Sequence, residues 1–196
     1  MEAAIARGQG KSASGAALEN VTLEVIMPPT VAMIIEIETD SKARTMQDLR
    51  LLVKNHGGSV TPTNYLFQKK GRILFEKDDR NLGVDDVLDE AIEAGAEDVE
   101  TDEDGSIVVW TEPNKTLAAV EALQKSLNLK VESSGIIWDP NEDTQVVLGS
   151  EDAVKALSDF ICALRDNPQV QGIYANAAKG SLADDVWGDL QDRLDA

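Results

Sequence analysis

The chain has 196 residues, 42% of them hydrophobic and only 4% aromatic, and its 18 Lys+Arg against 36 Asp+Glu leave a net charge of −18. That length suits one or two domains with cores of Leu, Ile, Val and Ala, and the charge excludes a molecule that coats nucleic acid over its whole surface. No apolar run approaches the roughly 20 residues of a membrane span, and one cysteine, Cys162, rules out an internal disulfide.

The charge is uneven. Residues 1–80 hold 11 Lys+Arg against 10 Asp+Glu, whereas residues 81–196 hold 7 against 26. Any contact with a polyanion therefore falls to the first eighty residues. EAAIARGQGK at the start reads as the tail of a helix ending at Gly8, followed by a small, polar linker at Gly8–Gly15. Val21–Ile26 and Val31–Thr39 are rich in β-branched residues and read as strands joined by a turn at Met27-Pro28-Pro29-Thr30. Thr39 or Asp40 caps a helix running to about Asn55, with Ala43, Met46, Leu49 and Val53 at helical spacing and Gly57-Gly58 as its stop. Strands at Tyr65–Gln68 and Arg72–Glu76 flank a turn at Lys69-Lys70-Gly71.

The acidic half opens with a helix from Asp85 to about Ala94, ended by Gly95. A strand at Val108–Thr111 follows the acidic turn Asp102-Glu103-Asp104-Gly105, and Pro113-Asn114 leads into a helix over Thr116–Leu127. Lys130–Trp138 is extended, Asp139-Pro140-Asn141 is a break, and Gln145–Leu148, Glu151–Arg165 and Val170–Tyr174 give a closing β-α-β. Those three elements are too few for a domain and are expected to rejoin the first sheet. In the acidic tail, Val186, Trp187, Leu190 and Leu194 recur at helical spacing, which fits either a short amphipathic helix or a disordered extension. Strands alternating with helices over short links predict an α+β fold.

Chemistry-bearing clusters are few. His56 is the one histidine, so neither a His-rich metal site nor a His-based triad is available, and beside Gly57-Gly58 it reads as a helix-end residue. The glycine pair follows a helix, opposite to the order that cradles phosphate. The turn at Asp102–Asp104 lacks the ligand spacing of a calcium loop. Cys162 sits among apolar residues in DFICALR and reads as structural. No catalytic residue, metal or cofactor is predicted. The remaining candidates are basic: Lys42, Arg44, Arg50 and Lys54 on the first helix, with His56 at its end, and Lys69, Lys70 and Arg72 after Tyr65 and Phe67. Basic side chains beside aromatic ones are ingredients of single-stranded RNA contact. The alternative is that the rings pack inward and the lysines solubilise a turn. No helix reads as a recognition helix with several exposed Arg, Asn and Gln.

The blocks ARGQGK, IIEIETDSKART, KNHGG, YLFQKKG, EAIEAGAEDVE and VQGIYANA, in that order, resemble the YebC family, from about Ile5 to Ala178. That family includes bacterial proteins described as transcriptional regulators and mitochondrial translational activators. The resemblance implies two small sheet-and-helix (ferredoxin-like) domains, the second inserted in the first, with most of a basic helical N-terminal domain missing. The expected boundaries are 1–18 for the remnant of that domain and its linker, 19–82 with 142–178 for the discontinuous domain, 83–141 for the acidic insert and 179–196 for the tail. Relatives carry a Gly-Pro-Gly-Gly turn where this chain has Met27-Pro28-Pro29-Thr30, which removes positive-φ freedom from that loop. The implied function is a non-enzymatic translational activator in mitochondria, docking on the ribosome, its RNA or mRNA mainly through the missing N-terminal domain and the basic residues named above, with the acidic insert facing a protein partner. The alternatives are a DNA-binding transcriptional regulator, in a cytoplasmic setting, and a protein-binding adaptor.

Overall fold

The computed structural model describes residues 17–195 apart from positions 78, 81 and 103. The expected helix remnant and most of its linker lie outside the described residues. The fold is α+β, and it divides into two compact units, 1–68 with 140–196, and 69–139.

In the first unit, β1 (Glu19–Met27) and β2 (Val31–Thr39) form an antiparallel hairpin with Val25 opposite Met33. The β-branched, alternating sequence suits a pleated sheet with one buried face. β3 (Ser59–Val60) flanks β1, and β9 (Val170–Ala175) flanks β2, giving the order β3-β1-β2-β9. Helices α1 (Lys42–Asn55) and α4 (Glu151–Arg165) bury Leu49, Val53, Leu157, Phe160, Ile161 and Leu164 in one core with Leu23, Val25, Met33 and Ile35. Thr39 does not cap α1. Its hydroxyl instead shares a 2.8 Å hydrogen bond with Thr45 in the first turn and accepts from the Ser41 N–H at 3.0 Å. At the other end Gly57 takes φ +77°, a left-handed conformation that glycine adopts without strain.

The closing β-α-β rejoins the first sheet only in part. β9 pairs antiparallel with β2, but β8 (Val146–Leu148) pairs in parallel with β10 (Ala177–Lys179), a strand the sequence did not announce. Buried Asn176 sets the branch point. Its side chain accepts from the Ala32 N–H at 2.8 Å and donates to the Thr144 carbonyl at 2.9 Å, while its own N–H donates to the Ala32 carbonyl at 3.0 Å. The tail is part of this unit. Helix α5 (Asp184–Gln191) buries Leu190 completely and packs Val186 and Trp187 against the core.

The second unit has the sheet order β5-β6-β4-β7, from β5 (Ala96–Thr101), β6 (Ile107–Thr111), β4 (Phe67–Phe75) and β7 (Val131–Pro140). Helices α2 (Val84–Glu93) and α3 (Thr116–Leu127) cover one face, burying Ile73, Phe75, Val87, Ala91, Val99, Val109, Ala119 and Leu123. The predicted turn at Lys69-Lys70-Gly71 does not exist. Those residues run through the middle of β4, and Gly71 to Leu74 pair with β6. For the same reason the second unit starts at 69 rather than 83, and it ends at 139 rather than 141. β5 went unseen in the sequence because Glu97, Asp98 and Glu100 disguise a strand in which Val99 alone is buried.

Candidate nucleic-acid interface

Sequence spacing puts the apolar side of α1 on the sheet, so its polar residues face out. Lys42, Arg44, Arg50 and Lys54 are all exposed, as the basic pattern implied. Gln47 and Asn55 share that exposure, which corrects the reading that no helix offers several exposed Arg, Asn and Gln. Helical periodicity applied to the polar residues would have found them. Beside the helix runs an open groove of about 720 Å³ lined by Glu19, Lys42, Ala43, Met46, Gln47 and Arg50.

Three of the four cations are electrostatically available. Lys42, Arg50 and Lys54 make no ion pair among the described residues, and Arg44 meets Asp48 only at 4.0 Å with both side chains exposed, a geometry worth little in water. Lys42 and Arg44 also sit on the first turn, where the helix dipole disfavours positive charge, while no acidic residue occupies that turn. Helix stability does not explain that placement.

His56 is turned to another task. Its Nδ1 lies 3.0 Å from the Leu52 carbonyl, which only accepts, so Nδ1 carries the proton and donates. The ring packs on Phe160 with centroids 5.4 Å apart. It closes the end of α1 and leaves Nε2 as the ring atom for any ligand.

Lys69, Lys70 and Arg72 belong to the second unit and extend no turn. Lys70 pairs with Asp139 at 2.6 Å and lies 5.8 Å from the Trp110 ring centroid, and Lys69 stands 4.6 Å from the centroid of Trp138. These cations are held by their own sheet through charge and ring faces. Arg72 lies opposite Trp110, whose indole N–H donates to Glu100 at 2.6 Å. The aromatic pair expected beside them separates: Tyr65 is exposed in a 3₁₀ turn over Asn64–Leu66, and Phe67 is buried. Cys162 is half-buried on α4 and contacts the Arg193 guanidinium. Among the described residues, no group of three or more His, Cys, Asp or Glu is placed to hold a metal. No helix among them is long and apolar enough to cross a membrane.

The family model for the second and third domain of TACO1/YebC matches residues 18–177. This chain belongs to the TACO1/YebC family. A probable transcriptional regulatory protein of Nitrosococcus oceani is 38% identical over 180 residues, covering 90% of this chain and 69% of its own. One from Aeromonas salmonicida is 37% identical over 192 residues, covering 95% of this chain and 72% of its own. The crystal structure of a conserved hypothetical protein from Aquifex aeolicus superposes with a TM-score of 0.71 at 28% identity, over 86% of this chain and 68% of that one. The Nitrosococcus and Aeromonas relatives are bacterial and carry regulatory rather than enzymatic names.

Proposed function

We propose that this TACO1/YebC chain is a non-enzymatic regulator of transcription that contacts duplex DNA through the outer face of α1. The exposed row of Arg44, Gln47, Arg50, Lys54 and Asn55 carries the proposal. Guanidinium and amide groups present the forked donors and acceptors that match base edges, and ammonium groups neutralise phosphate. The 14 residues of α1 span about 21 Å at 1.5 Å each, and an α-helix fits the major groove. The acidic remainder keeps the polyanion on this side of the first unit. The names of the bacterial relatives support transcription over translational activation, and their bacterial origin supports a cytoplasmic setting over the mitochondrial matrix.

Mobility-shift titrations with duplex DNA and with structured RNA of equal length, each at several salt concentrations, test this reading. Arg50→Glu with Lys54→Glu should weaken duplex binding at least about tenfold and flatten the log K against log salt slope by about 2. Unchanged affinity and slope would remove α1 from the interface. Tighter binding to RNA, with the same sensitivity to the two substitutions, would transfer the face to ribosomal RNA or mRNA and favour the translational activator.

A further inference from the structure

Leu51 stands in the middle of the outer face of α1 and has no place in the core. Leu49 and Val53 are buried beneath the helix, and Met46 and Leu52 pack against the same core half-buried. Leu51 is 58% exposed, the one large apolar side chain of α1 left facing water. At about 100° per residue, its neighbours one turn away are Gln47 and Asp48 before it, and Lys54 and Asn55 after it.

Gln47, Leu51 and Asn55 form a row at spacing four, amide–apolar–amide, drifting only about 40° per step around the helix. All three are exposed. The row rises about 12 Å, the height of three to four base pairs at about 3.4 Å each. The charges lie beside it. Lys54 is about 60° and Arg50 about 100° round to one flank of Leu51. Arg44 stands two turns before Leu51 and meets Asp48 at 4.0 Å. Asp48 accepts only and repels phosphate, which directs backbone contact to the flank of Arg50 and Lys54.

Each member of the row has a counterpart in the major groove. Gln and Asn amides pair bidentately with adenine N6 and N7, and thymine presents a C5-methyl group for apolar contact. Neither guanine nor cytosine offers an apolar group there. We propose that the row Gln47, Leu51 and Asn55 gives α1 a preference for A·T steps, with Leu51 on a thymine methyl as the specificity-determining contact. The inference rests on the duplex reading of α1 and deepens it: Arg50 and Lys54 supply affinity, and the uncharged row supplies the choice of site.

The test uses the full chain and three duplexes of equal length with identical flanks. One has a core of mixed A·T steps, one a G·C core, and one the A·T core with every thymine replaced by uracil, which removes only the C5-methyl groups. Mobility-shift titrations should show the A·T duplex bound at least about tenfold tighter than the G·C duplex. Uracil replacement should weaken binding about threefold or more. The uracil comparison needs no variant, so it stands whatever a substitution does to folding. Leu51→Ala should bind the thymine and uracil duplexes equally, and Leu51→Met should restore part of the difference. Gln47→Ala with Asn55→Ala should bring A·T and G·C affinities within about twofold, with the slope of log K against log salt unchanged.

Equal affinities for the three duplexes, with a salt slope still sensitive to Arg50→Glu and Lys54→Glu, overturn this inference and leave the duplex reading standing. An A·T preference that survives uracil replacement also overturns it, because the minor groove shows only A·T against G·C and carries no methyl. Absence of duplex binding at every salt concentration removes both readings together.

Discussion

Thr111 and Thr116 share a 2.8 Å hydroxyl hydrogen bond that passes directly over Gly71, the residue opposite Thr111 in the ladder. The pair joins the end of β6 to the first turn of α3, and both hydroxyls are buried. A side chain at position 71 would occupy their space, so the glycine is there for close approach of a neighbouring element within a strand. Gly71→Ala should therefore destabilise the second unit by about 1–3 kcal/mol, the usual range for overpacking. Urea denaturation followed by tryptophan fluorescence would measure it, and an unchanged midpoint would show that the threonine pair yields freely.

Asn176→Ala should cost about 2–4 kcal/mol, because it leaves the buried Ala32 N–H and Thr144 carbonyl without their partners. The loss should concentrate in the β8–β10 pair. Hydrogen exchange at Val146 and Ala177 would then accelerate more than exchange at Val25, and uniform acceleration would argue against a local role.

The C-terminal segment is predicted to be structural. Leu190 is fully buried on α5, and Asp195 bridges Arg165 at 2.6 Å while pairing with Ile173. Leu190→Ala should lower stability by about 2–5 kcal/mol. Asp195→Ala should cost less, about 1–2 kcal/mol, since the ion pair is partly exposed and the lost bond is to a single edge N–H. Equal, negligible effects in thermal melts would return the segment to the status of a loose tail.

Tyr174 confers an alkaline limit. Burial, followed by the nearby Glu36 and Asp195 carboxylates, pushes its hydroxyl from 10.0 up to about 12. The unfolded chain then releases this proton at lower pH than the folded chain does, so stability falls as pH rises from about 10 to about 12 and is fully present below that window. Tyr174→Phe should remove on the order of 2 kcal/mol of that decline, read as a flatter stability curve over the window in denaturant titrations. Identical slopes for both proteins would place the alkaline loss elsewhere.

Much of this was readable from residue order. β-branched runs predicted β1 and β2; helical spacing with a glycine stop predicted α1, a glycine stop marked the end of α2, and Pro113-Asn114 marked the start of α3; and the cations of α1 declared themselves at positions that turn outward. These are local signals, and short-range sterics and side-chain pattern determine them. What failed was everything that depends on a partner distant in sequence. Lys69-Lys70-Gly71 looks like a turn until the Thr111–Thr116 pair explains the glycine and Asp139 with Trp138 explains the lysines. β5 looks like an acidic loop until β6 supplies its ladder. The tail was open between helix and disorder until the first-unit core gave Leu190 a place to bury. Composition and local pattern thus determined the α+β class and the cationic face of α1. Only tertiary pairing decided which strand edges are closed, since an edge is defined by the neighbour it lacks, and that neighbour is never written in the strand itself.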